Sequence, residues 1–348
     1  METKHKIFVG DSRNMAQVES GSVDLVVTSP PYPMIEMWDD LFSELNKNIR
    51  ELISSGEGSQ AFDLMHEELD KTWSEVVRVL KPGGLVVINI GDATRKNGGE
   101  FKLYPNHSRV VDFFREQGFS VLPDILWRKK TNKANKFMGS GMLPPNAYVS
   151  LEHEFLLIFR KGTKRKLKPK SEKRYQSAYF WEERNQWFSD LWEGVGGVLQ
   201  NLNHNKLRER AASYPLEIPY RLINMFSIYG DTVLDPFWGT GTTSLAAMVL
   251  GRDSIGYEIK KSFTEVFHDR VKNAKVISKK ICEERIKRHL AFENEKDQLN
   301  YEAKNYDFKV ITKQERRICF YNIDKINKEK NVYNLQHEKY DYEGFIFN

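Results

Sequence analysis

The sequence predicts an α/β fold built around a mostly parallel β-sheet. Apolar segments of strand length alternate with longer helical segments over most of the 348 residues. Several of the apolar segments end in glycine, proline or acidic residues, as strands do where they leave a sheet. This alternation indicates parallel strands that are connected by helices covering both faces of the sheet.

Five strands and two helical segments are predicted in the first 160 residues. The strands are Lys6–Val9, Val23–Val27, Leu85–Ile90, Ser120–Arg128 and Glu154–Phe159. The helical segments are Trp38–Leu80, before a Lys-Pro-Gly-Gly turn, and Ser108–Gln117, before a glycine. Residues 1–160 are therefore interpreted as the first half of a catalytic domain.

The alternation breaks down between Arg160 and Ala212. This stretch is basic, and its aromatic residues are Tyr175, Tyr179, Phe180, Trp181, Trp187, Phe188 and Trp192. We interpret residues 161–212 as an insertion rather than as another strand and helix of the sheet. The alternative is that most of these aromatic residues form a small core.

The regular pattern resumes in residues 213–275, the second half of the predicted domain. Its elements are a helix at Pro215–Tyr229, a strand at Thr232–Leu234, a helix at Ser244–Leu250 and a strand at Asp253–Glu258. Residues 276–348 are rich in charge and poor in apolar periodicity. They are predicted to form a helical tail and a small extension of unknown role.

The composition excludes several classes of protein. The two cysteines, Cys282 and Cys319, lie far apart, so neither a disulfide framework nor a cysteine-rich zinc site is expected. No apolar run approaches the roughly 20 residues of a membrane helix. Residues 1–10 are too charged for a secretory signal, so a cytoplasmic protein is expected. The net charge of +5 fits a polyanionic partner without requiring one.

A nucleoside pocket is predicted where the strand at 232–234 runs into a Gly-x-Gly turn. Gly239 and Gly241 allow the backbone to approach a ligand, and the following helix offers free N–H groups. Asp235 lies at the carboxyl end of its strand, and Glu258 ends the next strand, where it could accept ribose hydroxyls. The longer Gly-x-Gly-x-x-Gly pattern of dinucleotide enzymes is absent because Ser244 follows. The alternative is an ordinary tight turn.

A second site is predicted at residues 28–32, Thr-Ser-Pro-Pro-Tyr, which follow an apolar strand. The two prolines remove two N–H donors and stiffen the backbone. Ser29 offers a hydroxyl, and Tyr32 offers an aromatic face on which a base can stack. A hydrogen-bond acceptor such as the Ser29 hydroxyl suits an exocyclic amine, because the delocalised lone pair of that amine makes it a poor nucleophile. Taken alone, the stretch could be an ordinary polyproline-like turn.

Together, residues 28–32 and the Asp-Pro-Phe-Trp-Gly-Thr-Gly-Thr-Thr motif of residues 235–243 resemble the amino-methylating DNA methyltransferases. The catalytic motif precedes the cofactor motif, as in the permuted β group of that family. The similarity spans roughly Lys6 to Val271. Further matching motifs are Gly10–Ser12, Leu80–Gly84, Tyr214–Pro219 and Gly256–Glu258.

The resemblance implies a circularly permuted Rossmann-like methyltransferase fold. Its sheet would have seven strands, one of them antiparallel, and residues 161–212 would be the target-recognition insertion. The cofactor would be S-adenosyl-L-methionine, with no metal. Residues expected to contact the cofactor are Asp11, Asp235, Pro236, Phe237, Gly239, Gly241, Thr242 and Glu258. Residues expected in catalysis are Ser29, Pro30, Pro31 and Tyr32.

The expected partner is double-stranded DNA, from which the target base must flip out to meet a methyl donor. Basic side chains would hold phosphates and give affinity without sequence information. Those predicted to do so are Arg128, Lys129, Lys130, Lys161, Lys164, Arg165, Lys166 and Lys168. The alternative for each basic run is a solvated loop. A monomer is expected, with a dimer as the alternative, and a restriction endonuclease is expected only as a functional companion.

Ser29 before the two prolines indicates methylation of cytosine N4, with adenine N6 as the alternative. Carbon-5 methylation is disfavoured, because neither cysteine lies in a suitable turn for a thiolate nucleophile. RNA and protein substrates stay open, since a fold does not fix its substrate. A nicotinamide oxidoreductase and a catalytically dead DNA-binding module are the other classes considered. The dead module predicts loss of Ser29, Tyr32 or Asp235, and all three are present.

Overall fold

The structure is a computed structural model that describes residues 1–129, 138–195, 214–296 and 299–342, and structural statements refer to these residues. The strands are β1 (Glu2–Val9), β2 (Val23–Thr28), β3 (Leu80–Ile90), β4 (Ala93–Asn97), β5 (Glu100–Tyr104), β6 (Phe119–Arg128), β7 (Met138–Gly139), β8 (Ala147–Tyr148), β9 (His153–Lys161), β10 (Leu191–Trp192), β11 (Thr232–Asp235), β12 (Asp253–Glu258), β13 (Tyr301–Glu302), β14 (Lys309–Val310), β15 (Tyr321–Glu329) and β16 (Val332–Lys339). The helices are α1 (Asp39–Leu45), α2 (Asn48–Ser54), α3 (Gly58–Val79), α4 (Asn106–Glu116), α5 (Glu172–Gln176), α6 (Trp181–Trp187), α7 (Glu217–Phe226), α8 (Thr242–Val249), α9 (Ser262–Val271) and α10 (Ala274–Glu295).

One mixed sheet organises the molecule, in the order β10-β6-β9-β3-β2-β11-β12-β1-β16-β15. The central strands β3, β2, β11, β12 and β1 are mutually parallel, and β9 runs antiparallel between β3 and β6. Every residue of β2 is buried, as expected of a strand covered on both faces. We call the edge at which β2, β3, β11 and β12 end the carboxyl edge, and the edge at which they begin the amino edge.

Helices cover the two faces of the sheet and bury two apolar layers. On one face, α3 and α4 pack Leu69, Trp73 and Phe114 against the sheet. On the other face, α7, α8 and α10 pack side chains such as Leu222 and Leu245. In the described part of the chain, no helix combines the length and the apolar character that crossing a membrane requires.

The sheet has ten strands rather than the seven expected. Three lie outside the predicted set, namely β10 at one end and the hairpin of β15 and β16 at the other. Leu191 and Trp192 pair with β6, so part of the expected insertion does join the sheet. The hairpin was missed because its exposed face is charged, which masks the alternation of its buried positions.

The expected insertion and the C-terminal extension pack against each other. Phe180, beside α6, shares a buried cluster with Ile286 of α10 and with Phe308 and Phe320. The small-core alternative for the aromatic residues therefore holds for Phe180, whereas Trp187 and Trp192 belong to the main core. The part of the insertion at residues 196–212 lies outside the described residues.

The Lys-Pro-Gly-Gly turn predicted at residues 81–84 is an irregularity at the start of β3. Leu80 pairs with Val23, and pairing resumes at Leu85 opposite Leu25. Gly83 has a φ of +81°, and a Cβ there would lie 2.7 Å from the backbone nitrogen of Arg165. This close approach brings residues 161–168 against the amino edge.

Candidate active site

The two predicted motifs meet at the carboxyl edge. β2 and β11 are parallel neighbours, with Leu234 opposite Val26, so the loops that follow them emerge side by side. The Thr28 hydroxyl donates a hydrogen bond to Asp235 Oδ1 at 2.6 Å, and the Thr243 hydroxyl donates to Oδ2 at 2.6 Å. Asp235 therefore joins the serine-proline loop to the helix that follows the glycine turn.

Burial dominates the electrostatics of Asp235. It raises the pKa of this carboxyl to about 6, while hydrogen bonds from Thr243, Thr28 and the Phe237 N–H limit the rise. Both carboxylate oxygens already accept protein donors. The predicted contact between Asp235 and a cofactor stays a prediction, and the structural role of the side chain is plain.

A cavity of about 430 Å³ opens between these loops and the loop after β1. Most residues predicted to bind the cofactor line it, namely Asp11, Asp235, Pro236, Phe237, Gly239, Thr242 and Glu258. From the catalytic motif, Ser29 and Pro31 reach the same wall. The cavity is therefore shared by both motifs.

The glycine turn is shaped by two left-handed residues. Gly239 has a φ of +53° and Gly241 a φ of +75°, conformations that glycine adopts most readily. A Cβ on Gly241 would lie 2.4 Å from the Phe267 ring, whereas a Cβ on Gly239 would meet almost nothing. Gly241 therefore allows close packing behind the cavity, and Gly239 leaves the cavity wall open.

Two carboxylates flank the cavity with different partners. Glu258 accepts the N–H groups of Gly239 and Lys260, each at 2.8 Å, and burial raises the pKa of Glu258. At Asp11, burial opposes the effect of Arg13, whose hydrogen bonds and charge bring the pKa of that carboxyl below its ordinary value. Each carboxylate oxygen has two lone pairs, so Glu258 can still accept further donors.

The opposite wall of the cavity was not predicted. Its apolar side chains are Trp38, Leu41, Leu45 and Leu69, from the helical region that follows the catalytic motif, and Asp40, Glu44 and Glu68 line the cavity beside them. Phe237 contributes from the other side and packs edge-on against the buried Trp73. Only a helical pattern is visible in the sequence here, because apolar residues that line a cavity have the same spacing as residues that fill a core.

A polar cluster extends from Ser29 away from the cavity. The Ser29 and Tyr32 hydroxyl oxygens are 3.1 Å apart, and Tyr32 donates to Glu154 Oε2 at 3.0 Å. Asn89 Nδ2 donates to the Tyr32 oxygen at 2.8 Å and to Glu154 Oε2 at 2.7 Å. Lys129 forms an ion pair with Glu154 Oε1. Burial, followed by the charge of Glu154, raises the pKa of Tyr32, so its hydroxyl stays protonated.

Sequence reasoning missed Asn89 and Glu154. Asn89 lies beside Ser29 because β3 is the parallel neighbour of β2. Glu154 reaches the cluster because β9 is antiparallel, so its first residues lie at the carboxyl edge. A polar residue inside the apolar strand Leu85–Ile90 was the available signal for Asn89. Its Oδ1 is buried and has no hydrogen-bond partner within the described part of the chain.

Two of the predicted DNA contacts occupy the amino edge and are used internally. Arg165 makes a two-pronged ion pair with Asp231, at 2.6 and 2.9 Å, just before β11 begins. Lys161 donates to the carbonyls of Val77 and Leu80 at 2.6 and 2.8 Å. These functional groups are thus occupied, at the edge opposite Ser29.

The other predicted DNA contacts divide between the two edges. Lys164, Lys166 and Lys168 are in the same amino-edge segment, and all three are exposed. Arg128 is the last residue of β6 and Lys129 comes directly after it, so both lie at the carboxyl edge. There Arg128 forms ion pairs with Glu152 and Glu193. Lys130 lies outside the described residues. The structure thus brings only Arg128 and Lys129 of this set, among the described residues, close to the catalytic motif.

No cluster of histidine, cysteine or acidic side chains suited to a metal occurs in the residues for which the structure gives positions.

Residues 23–269 match the family model N6_N4_Mtase, described as DNA methylase. The chain is 55% identical over 334 residues to Type II methyltransferase M.MthZI of Methanothermobacter thermautotrophicus, covering 95% of this chain and 94% of that protein. It is also 55% identical over 280 residues to Type II methyltransferase M.MjaI of Methanocaldococcus jannaschii, covering 77% and 91%.

Solved structures share the architecture. TTHA0409 of Thermus thermophilus, solved in complex with S-adenosyl-L-methionine, is 32% identical with a TM-score of 0.59 and covers 78% of this chain and 95% of that one. The PvuII DNA methyltransferase, cytosine-N4-specific, is 19% identical with a TM-score of 0.52 and covers 76% and 86%. At that identity the second similarity shows the fold alone.

Proposed function

The chain belongs to the N6_N4_Mtase family of DNA methylases, and we propose that it transfers a methyl group to the N4 amino group of cytosine in double-stranded DNA. The cofactor is S-adenosyl-L-methionine, which TTHA0409 binds in its solved complex. The observation that carries the proposal is the position of Ser29, whose side chain belongs both to the wall of the cavity and to the polar cluster. The order of the motifs fits the permuted β group.

The residues around the cavity fit S-adenosyl-L-methionine. Glu258 keeps lone pairs for ribose hydroxyls, and Asp11 is an ionised acceptor for an adenine amino group. The apolar side chains of Trp38 and Leu41 on one side of the cavity, and of Phe237 on the other, suit the two faces of a purine ring. When bound, the cofactor supplies a methyl group on a positively charged sulfur, which needs no further activation.

The side chains of the catalytic loop orient the nucleophile. Because Tyr32 donates to Glu154, its oxygen accepts from the Ser29 hydroxyl. Ser29 Oγ also accepts from Asn89 Nδ2 at 3.4 Å and keeps one lone pair for an amino proton. An acceptor placed at one amino proton favours a pyramidal nitrogen and concentrates its lone pair. Catalysis is then mainly positioning and electrostatic stabilisation of the charge that develops on that nitrogen.

The assignment to cytosine rests on Ser29 before Pro30 and Pro31. The family pattern places serine in cytosine-N4 enzymes and aspartate or asparagine in adenine-N6 enzymes. Adenine N6 is the alternative, because a hydroxyl could accept a proton from either amino group. The two products differ in which nucleoside carries the methyl group, so analysis of the methylated DNA separates them.

DNA lies at the carboxyl edge in this proposal. The described residues 138–151 precede β9 at that edge, and the sequence of residues 129–151 contains four lysines and no acidic residue. Met142, Leu143 and Val149 are 82%, 70% and 86% exposed in this segment, and apolar side chains of this kind can enter between base pairs. Arg128 and Lys129 would hold phosphates beside them.

The relatives named Type II methyltransferases support a role as the modification enzyme of a restriction-modification system. The cognate endonuclease would be a companion that reads the same DNA site. The protein would act as a monomer, since one chain contributes both the cofactor cavity and the polar cluster.

The test is to incubate the protein with unmethylated duplex DNA and S-adenosyl-L-methionine carrying a deuterated methyl group. The DNA is digested to nucleosides, which are separated against standards and identified by mass. Labelled N4-methylcytosine is the expected product, and chromatography distinguishes it from the isomeric 5-methylcytosine. Labelled N6-methyladenine would move the assignment to adenine, and an absence of labelled nucleoside would overturn the proposal. Single-molecule sequencing of the product then gives the sequence context.

A further inference from the structure

Glu154 is a buried carboxylate next to the catalytic loop. It is 8% exposed, and it lies in β9 between the neighbouring strands β3 and β6. Tyr32 and Asn89 donate to one of its oxygens, and Lys129 pairs with the other. A carboxylate in such a place is expensive to bury unless it is paired, so its position calls for a reason.

The hydrogen bonds around Glu154 have one consistent direction. A carboxylate can only accept, so the single proton of the Tyr32 hydroxyl points to Glu154. The Tyr32 oxygen then accepts from Ser29, 3.1 Å away, and from Asn89 at 2.8 Å. The chain of donors runs from Ser29 through Tyr32 to Glu154, and the lone pair of Ser29 that Asn89 does not occupy lies at its start.

We propose that Glu154 is the proton acceptor of the methyl-transfer reaction, acting through Tyr32 and Ser29. This inference rests on the proposed function, since it needs an amino group at Ser29. Glu154 does not touch that amino group, so it is a positioning and proton-accepting residue behind the catalytic loop. Asn89 fixes the geometry by donating to both Tyr32 and Glu154.

The chemical step balances through this chain. The amino nitrogen uses its lone pair to form a bond to the methyl carbon, and the electrons of the carbon–sulfur bond stay on sulfur, which becomes neutral. The nitrogen, now cationic, gives one proton to Ser29 Oγ. Ser29 passes its own proton to Tyr32, and Tyr32 passes its proton to Glu154. Ser29 and Tyr32 end unchanged, and Glu154 holds one proton, which it later releases to water.

Glu154 also affects the rate before any proton moves. Positive charge develops on the amino nitrogen as the methyl group arrives, and a carboxylate at the end of the chain makes Ser29 a stronger acceptor. Lys129 pairs with the carboxylate, and its side chain is 42% exposed, which gives a route to solvent. Among the described residues, the titratable groups that face this chain are Lys129, Tyr32 and Tyr214, and burial raises the pKa of both tyrosines.

The test compares Glu154→Gln with the matched control Glu152→Gln, two residues earlier, whose carboxylate pairs with Arg128 at the surface. Single-turnover methyl transfer to duplex DNA is measured with saturating cofactor. Glu154→Gln is expected to be about 100-fold slower, because an amide cannot take up the proton that Tyr32 passes on, and Glu154→Asp is expected to recover part of the lost rate. Glu152→Gln is expected to keep the wild-type rate.

A second pair of variants distinguishes proton transfer through Ser29, Tyr32 and Glu154 from a role of these side chains in packing alone. Tyr32→Phe breaks the chain while leaving Glu154 in place, and the double variant with Glu154→Gln is expected to be no slower than the slower single variant.

The outcomes distinguish this inference from the proposed function. If the wild-type protein labels adenine instead of cytosine, the same variants still test proton transfer to Glu154, because either amino group loses one proton when it is methylated. A wild-type rate in Glu154→Gln, or rate losses that multiply in the double variant, would overturn the inference. An inactive wild type would overturn the proposed function instead. Cofactor affinity and thermal unfolding of each variant are measured beside the rates, so a misfolded variant is recognised.

Discussion

The two edges of the sheet both carry charged residues and use them differently. At the amino edge, Asp24 binds Lys81 and Asp231 binds Arg165, so charges are matched in pairs. At the carboxyl edge, Asp235 and Glu258 accept hydrogen bonds from backbone and hydroxyl groups, although Glu154 there pairs with Lys129. The amino-edge pairs lock loops together, and Glu258 keeps acceptor capacity that faces a cavity.

The difference has a cause in the connectivity of the sheet. Loops that follow neighbouring parallel strands diverge to opposite faces and leave a crevice at the carboxyl edge. At the amino edge, the segment at residues 161–168 crosses the strand beginnings and is clamped by Arg165. A charged residue therefore has a different role at each edge, and substitutions at the two edges should have effects of different size.

The largest expected effect is at the carboxyl edge. Ser29→Ala should lower the single-turnover rate of methyl transfer by about 10²–10³-fold, because it removes the acceptor next to the amino group. Cofactor affinity, measured by calorimetry, should stay unchanged. Ser22→Ala, at the other end of the same strand, is the matched control and should leave both quantities at wild-type values. Equal rates for Ser29→Ala and Ser22→Ala would show that the serine at the carboxyl edge has no special role in methyl transfer.

A smaller effect is expected from buried histidines between β1 and the C-terminal hairpin. Burial, and then the charge of His337, lowers the pKa of His5 to about 3, and burial with the N-terminal charge lowers that of His337 to about 4. Both folded values lie below the ordinary value of 6.5, so the stability that they contribute is complete above pH 6.5 and is lost as the pH falls toward the folded values. Each should remove about 2 kcal/mol by about pH 5.

The measurement is denaturant unfolding at pH 8 and pH 5 for wild type and His5→Gln. The variant is expected to lose less stability between the two pH values, by about 2 kcal/mol. Equal losses would show that His5 can be charged in the folded protein, and that this region tolerates unmatched charge.

The smallest effects are expected at the amino edge. Arg165→Met should lower the free energy of unfolding by about 1 kcal/mol, a value discounted because the side chain is 35% exposed. The triple change of Lys164, Lys166 and Lys168 to glutamine should leave DNA affinity within about twofold, with little change in its salt dependence. Arg128→Gln at the carboxyl edge is the comparison and should weaken binding more. A larger loss of DNA affinity in the triple variant than in Arg128→Gln would indicate that DNA binds at the amino edge.

Much of the site was predictable because local sequence specifies local chemistry. The Thr-Ser-Pro-Pro-Tyr loop, the glycine turn and Glu258 each follow an apolar strand, so their place at strand ends could be inferred from the sequence. Their meeting in one cavity follows from parallel pairing. The residues contributed by β3 and β9, Asn89 and Glu154, could not be inferred in the same way, because strand order and direction are not written in either segment.

The sequence by itself determined the parallel α/β architecture, the two motifs and the chemistry that they can hold, because hydrophobic periodicity and turn residues act over short distances. Tertiary structure decided which charges are free. It placed the basic segment at residues 161–168 at the amino edge, opposite the site. It also made β9 antiparallel to β3, so that Glu154 lies beside Tyr32. The physical reason is that an ion pair or a proton chain depends on distances of about 3 Å between residues far apart in the chain, which only packing sets.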